Sequence, residues 1–278
     1  MTLTNFPNGI TSLGVPQVGS GAIPVSGGNY YFVCNRTGAN GSDGNEGTSM
    51  EFPFATIDYA IGQCTANQGD TITVMQGHAE TLTAAGSITC DIAGINIIGL
   101  GTGADRPEIS FGTATTASLL ITAANVQIAN IVGISGSDVL TNPFHIQAAG
   151  CTLGNAQNGP IEWQDPSSSL QAVRAVLTTA AADNLKVYLK TVGITSGGTS
   201  PVNAVRLVGC NSGLINLDFY GRASTAVVEF ITTACTNIEV YGYMYNSGVT
   251  NYTKDVVDTV TGSTWYAEFD DGAAGFPI

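Results

Sequence analysis

Along residues 30–246 apolar and polar residues alternate in short runs and do not recur at helical spacing. The clearest runs are YYFVC at 30–34, DTITVM at 70–75, INIIGL at 95–100, VQIANIV at 126–132, LKVYLKTV at Leu185–Val192, LINLDFY at 214–220 and IEVYGYM at 238–244. Secondary runs lie between them at Glu108–Phe111, 118–122, 144–147, 203–208 and 226–231. Each ends at Gly, Asn, Asp or Ser. Like runs return roughly every two to three dozen residues, a period typical of solenoids. One such run cannot bury its apolar side alone, but stacked runs build a continuous core and pair each backbone above and below. The expected fold is therefore all-β: a right-handed single-stranded parallel β-helix (solenoid) with an extended N-terminal arm. A β-sandwich would need hairpin turns, and Asn-Gly or Asp-Gly pairs are few between the repeats.

The flanks differ from this body. Residues 1–29 carry three Pro and many Gly, and their apolar residues follow no period. They read as an extended arm. Its isolated apolar side chains need cover, so docking on a partner is expected. The candidate contacts are Phe6, Pro7, Ile10, Leu13, Val15 and Pro16, with Phe6 beside Pro7 as the rigid aromatic anchor. Within 52–61, Thr56 is placed to N-cap a short helix whose Ile57, Ala60, Ile61 and Cys64 share one face. That helix would close the open first coil. Residues 247–278 mix Trp265, Tyr266, Phe269 and Phe276 with Asp258, Glu268, Asp270 and Asp271, which suits either a cap or a docking surface. The expected organisation is an arm at 1–29, a β-helix with its capping segment at 30–246 and a cap or docking segment at 247–278. Trp265 and Tyr266 are its candidate contacts.

Composition narrows the function. Only 10% of the 278 residues are charged, and the net charge is −13. Eight scattered Lys and Arg cannot form the cationic track that nucleic acid requires. No run is long and apolar enough to span a membrane, and the N-terminus has no secretion pattern, so synthesis in a host cytoplasm is expected. The six cysteines form no C-x-x-C pair and sit in strand-like runs, which predicts buried free thiols.

Candidate chemistry is sparse. Asp218, Glu229 and Glu239 lie in successive late strands and could stack on one face, but solvated strand edges explain them equally well. His78 and His145 read as turn residues or hydrogen-bonded corners. The NGSDGNEG loop at 40–47 lacks the length and final Glu of a calcium loop, so a turn held by Asx hydrogen bonds is expected. No catalytic residue, metal ligand or cofactor is assigned.

The segment from YYFVC through GSDGNEGT and PFATIDYAI to DTITV resembles the opening of β-helices in the pectin-lyase-like superfamily, which bears on fold and says little about activity. TNFPNGITSLGVP and KDVVDTVTGSTWYAEFDDGAAG resemble structural proteins of tailed bacteriophages, capsid decoration or head-associated proteins above all. That resemblance implies a non-enzymatic capsid decoration (cement) protein on the virion exterior. Its partner would be the major capsid protein, and a homotrimer is expected because Thr, Ser and apolar side chains on solenoid faces suit side-by-side packing and closed cyclic symmetry avoids runaway assembly. The alternative is a tailspike-like β-helix that binds or cleaves carbohydrate.

Overall fold

The computed structural model describes residues 10–12, 15–17, 27–112, 114–167, 169–193, 201–231, 235–246, 256–257 and 264–270. Its strands form a parallel β-solenoid. On the first wall Tyr30–Val33, Thr71–Val74, Asn96–Gly99, Gln127–Ala129 and Thr152–Leu153 stack in turn. On the second, Ala79–Leu82, Glu108–Phe111, Val132–Ser135 and Ile161–Gln164 do the same. The third runs from Ile88–Cys90 through Leu119–Ile121, Phe144–Ile146, Val176–Thr178, Val205–Val208 and Val228–Ile231 to Val256–Val257.

The first two walls fuse in Leu185–Val192. Its Lys186 stands opposite Thr152 of the first wall, and its Leu189 opposite Ile161 of the second. Asn211–Gly221, Thr236–Asn246 and Thr264–Asp270 continue this single broad wall. The early coils are thus three-sided and the late ones two-walled.

Register follows from burial. Ile72, Ile97, Ile128, Leu153, Val187, Ile215 and Val240 form one buried column inside the first wall. Ile88, Leu119, Phe144, Val176, Val205 and Val228 form another inside the third. A slip of one residue would turn either column outward, losing about 1.5–3 kcal/mol for each side chain exposed. Phe111, Phe144 and Trp163 meet edge-on or tilted, with centroids 5.3–6.1 Å apart. Gly133 makes room for them: a Cβ there would lie 2.9 Å from Trp163 and 3.0 Å from Phe144.

One corner repeats through the stack. Gly69, Gly94, Asn125, Gly150, Asn184, Ser212 and Asn237 occupy equivalent positions, and all have φ between +55° and +75°. Gly and Asn reach this left-handed region at least cost, which explains why they dominate the corner. The corners also bond along the stack: the N–H of Asn125 donates to Ala149 O, that of Gly150 to Asp183 O and that of Asn184 to Asn211 O.

The helix Ile57–Gly62 lies at the first end, where its Ile57, Ala60 and Ile61 are buried. The hydroxyl of Thr56 caps it, accepting the N–H of Tyr59. Asp43 of the 40–47 loop accepts the N–H groups of Ala55 and Thr56 and the Thr56 hydroxyl, at 2.8–3.0 Å. Asn45 donates to the carbonyls of Asn40 and Pro53. This loop is a structural turn that braces the helix start.

All six cysteines are buried free thiols. Burial pushes the Cys64 thiol up to about 12 and raises Cys90 and Cys151 as well, so these thiols are poor nucleophiles. Within the segment expected to be an extended arm, Ile10–Ser12 and Val15–Gln17 pair antiparallel, with Ile10 opposite Gln17 and Thr11 opposite Pro16. A fully extended run is therefore not what these six residues adopt: backbone groups that an open arm leaves to water bond to each other across the pair.

Candidate functional site

The most chemically loaded place lies where the solenoid turns from its second wall to its third. Strand Ile161–Gln164 points Ile161 and Trp163 inward, and Asp165 follows in the same phase. The chain then crosses through Gln171, Ala172 and Arg174 to Val176–Thr178. The next coils supply Thr191, Gly193, Pro201, Asn203 and Ala204, then Phe219, Tyr220, Gly221 and Arg222. Together they line a narrow cavity of about 20 Å³, room for one water molecule.

Its polar groups are unequally satisfied. Asp165 Oδ1 accepts the indole N–H of Trp163 at 3.1 Å and the Ala172 N–H at 3.0 Å. Burial nonetheless pushes its carboxyl up to about 6, outweighing those two bonds. Arg174 donates to Asn203 Oδ1, Thr141 O and Asn142 Oδ1 at 2.8–3.2 Å. Asn203 donates to Glu229 Oε2 at 2.7 Å, and Arg206 Nε lies 3.1 Å from that same oxygen. Gln171 is the exception. Its side chain is 2% exposed, and among the described residues neither Nε2 nor Oε1 has a hydrogen-bond partner. Each unmet buried group costs about 1–3 kcal/mol.

Two larger surface grooves flank the walls. One, about 300 Å³, is lined by Gln76, Thr102, Asp105, Asn130, Gln157 and Asn158 among others. Another, about 510 Å³, runs beside the repeated corner past Asn184, Lys186, Tyr188, Ser212, Asn237 and Glu239. On the second wall, Glu162 receives Arg106 at 2.7 Å and Gln164 at 2.6 Å, with Lys190 at 3.9 Å. Burial alone would raise Glu162, but these donors and charges hold its carboxyl below its ordinary value.

The carboxylates weighed from sequence do not converge. Glu229 stands on the third wall, whereas Asp218 and Glu239 share the broad one. Asp218 is opposite Tyr243, four residues beyond Glu239, or about 13 Å along the strand. His78 is a buried corner, not a surface turn: its Nδ1 accepts the Asn35 N–H, leaving Nε2 to donate to Glu80 Oε2 at 3.2 Å. His145 points outward between Leu120 and Leu177, with Gln147 Nε2 3.3 Å from its ring nitrogens. Burial lowers its pKa.

Of the docking candidates, Phe6, Pro7 and Leu13 lie outside the described residues. Ile10, Val15 and Pro16 belong to the antiparallel pair. Trp265 and Tyr266 belong to Thr264–Asp270, opposite Val240 and Tyr241. Sequence reasoning missed Asp165 and Gln171. For Asp165 a signal existed, a carboxylate in phase with inward Ile161 and Trp163. Gln171 sits in a crossing with no alternation, so only the stacked coils show it to be buried.

No family model matches the chain, and no curated protein does. Among solved structures, a rhamnogalacturonan lyase aligns with a TM-score of 0.48 at 13% identity, covering 79% of this chain and 69% of that one. No residue role is carried across from it.

Proposed function

We propose that this chain is a non-catalytic structural solenoid that docks on a protein shell, a homotrimeric capsid decoration protein on the virion exterior whose partner is the major capsid protein. The observation that supports this reading is the outer surface of the broad wall. Tyr220 and Tyr243 are 50% and 42% exposed, and Val192 beside them is 41% exposed. Tyr220 and Tyr245 stack at 4.9 Å with planes 14° apart. Tyrosine rings set among the outward Lys186, Lys190, Asp218 and Glu239 of the same strands give this face an aromatic patch with a charged surround, the makeup of an interface, and Tyr contributes large area at small entropic cost. Titration of labelled protein onto capsids of the encoding phage, prepared without it, tests the reading. Saturable binding is expected, weakened at least tenfold by Tyr220→Ser with Tyr243→Ser. Binding only at tail tips, or none, overturns it.

A second reading, a carbohydrate-binding or carbohydrate-cleaving solenoid, draws on the β-helix fold and on the cavity holding Asp165 and Gln171. Incubation with a polysaccharide panel tests cleavage through the appearance of reducing ends or unsaturated products.

A further inference from the structure

We infer that Cys210 and Cys235, stacked one coil apart in the late solenoid, are a disulfide-forming pair that a small disulfide such as oxidised glutathione closes into a staple between coils. The inference goes beyond the capsid and carbohydrate readings and rests on neither.

Register sets the pair. Asn211 stands opposite Thr236 and Gly213 opposite Ile238, so the residues just before these strands, Cys210 and Cys235, stand opposite one another too. The Thr236 N–H donates to Cys210 O at 3.1 Å, the ladder bond that this register requires. Both side chains are fully buried and belong to the apolar core. Neighbouring strands lie about 4.7–4.9 Å apart, inside the Cα separation of about 4.4–6.8 Å that a disulfide spans. The other cysteines do not stack on one another. Cys34 continues the strand Tyr30–Val33 beside Met75, and Cys64 follows the helix. Cys90 is opposite Ile121, and Cys151 lies between Val126 and Leu185.

The surroundings suit closure through local opening. Thr178 Oγ1 accepts the Val208 N–H at 3.0 Å and lies 3.0 Å from Cys210 Sγ, to which its hydrogen can turn. Contact with Cys235, then burial, push the Cys210 thiol up and keep it protonated while the coils are closed. Among the described residues only Thr264–Asp270 stacks on the broad wall beyond Thr236–Asn246, so these coils lie near the end of the stack, where opening costs least. One exposed thiolate then attacks a sulfur of the small disulfide, forming a mixed disulfide and expelling one small thiolate, which takes up the proton. The other cysteine loses its proton and displaces the second small thiol from the mixed bond. Two protein thiols are oxidised, and one small disulfide is reduced to two thiols.

The test is incubation of the full, folded chain with oxidised glutathione, followed by denaturation, thiol counting and peptide mapping. Two of the six thiols should disappear, with a mass lower by two hydrogen atoms. Cleavage after Arg206, Arg222 and Lys254 separates the two cysteines, so the bond should appear as a joined pair of peptides. The oxidised chain should melt above the reduced one by at least about 3 °C. Cys90→Ala should still lose two thiols, whereas Cys235→Ala should not form the bond. Six thiols remaining, a glutathione adduct that persists on either cysteine, or a bond mapped to other cysteines overturns the inference.

Discussion

At the scale of single residues, Asp165 shows how burial turns a carboxylate into a liability. Its folded pKa is about 6, against an ordinary value of 3.8. The folded state therefore holds the proton more tightly than the unfolded chain. The stability linked to that proton is complete below pH 4 and is lost as pH rises through 6, about 3 kcal/mol in all. Asp165→Asn keeps an oxygen for the Trp163 and Ala172 donors and removes the charge. At pH 7 the variant should be more stable than the wild type by up to that amount, with the difference vanishing near pH 4. Chemical denaturation of both proteins across pH 4–8 checks this. The parity of Asp165 with Ile161 and Trp163 was readable from sequence, but its burial is seen only once later coils are stacked, which set Thr191 and Phe219 in line with Trp163 and around the same cavity.

At the scale of elements, legibility followed strand length. The long runs, Leu185–Val192 above all, show several alternations and stand out without the structure. Ala79–Leu82, Ile88–Cys90, Thr152–Leu153, Ile161–Gln164 and Val176–Thr178 did not. A strand of two to four residues holds one alternation or two, too little to set a period, and its pairing partners lie two to three dozen residues away. The repeated corner was half visible. Gly, Asn and Ser could be seen to end runs, yet only the register shows them occupying one left-handed position from Gly69 through Asn237. The capping helix was fully readable, because its signals are local: Thr56 before Ile57, with Ala60 and Ile61 on the same face. What the sequence hid was the role of Asp43 in holding that helix. Asp43→Ala removes three bonds and should cost about 2 kcal/mol. Amide exchange should rise first in Ile57–Gly62 and its neighbours, while Thr236–Asn246 stays protected. Uniform loss of protection would contradict the local bracing described for this loop.

At the scale of the whole molecule, the solenoid's stability should be independent of the N-terminal segment. Among the described residues the stack starts at Tyr30–Val33, which pairs with Thr71–Val74, and the helix lies over this first coil. Deleting residues 2–25 is expected to leave the melting temperature within about 2 °C of the parent while weakening shell binding at least tenfold, about 1.4 kcal/mol. A large fall in melting temperature with unchanged shell affinity would reverse the assignment and make the segment a cap.

The fusion of two walls at Leu185–Val192 carries a different kind of consequence. Coils before it and coils after it are not interchangeable parts. An early coil offers its neighbour strands of two to four residues separated by a bend, whereas Asn211–Gly221 and Thr236–Asn246 are ledges of eleven residues each. A duplicated early coil can find matching backbone only among early coils, and a late one only among late coils. Growth between molecules is opposed at the first end. A second copy arriving end-on with Thr264–Asp270 would find the outer edge of Tyr30–Val33 already taken, because Phe32 donates to Gly47 O and accepts the Phe54 N–H, and the Cys34 N–H donates to Phe54 O. Repeated backbone geometry invites a solenoid to grow without limit; a cross-section that changes partway along gives this one a direction, and its covered first edge discourages fibres.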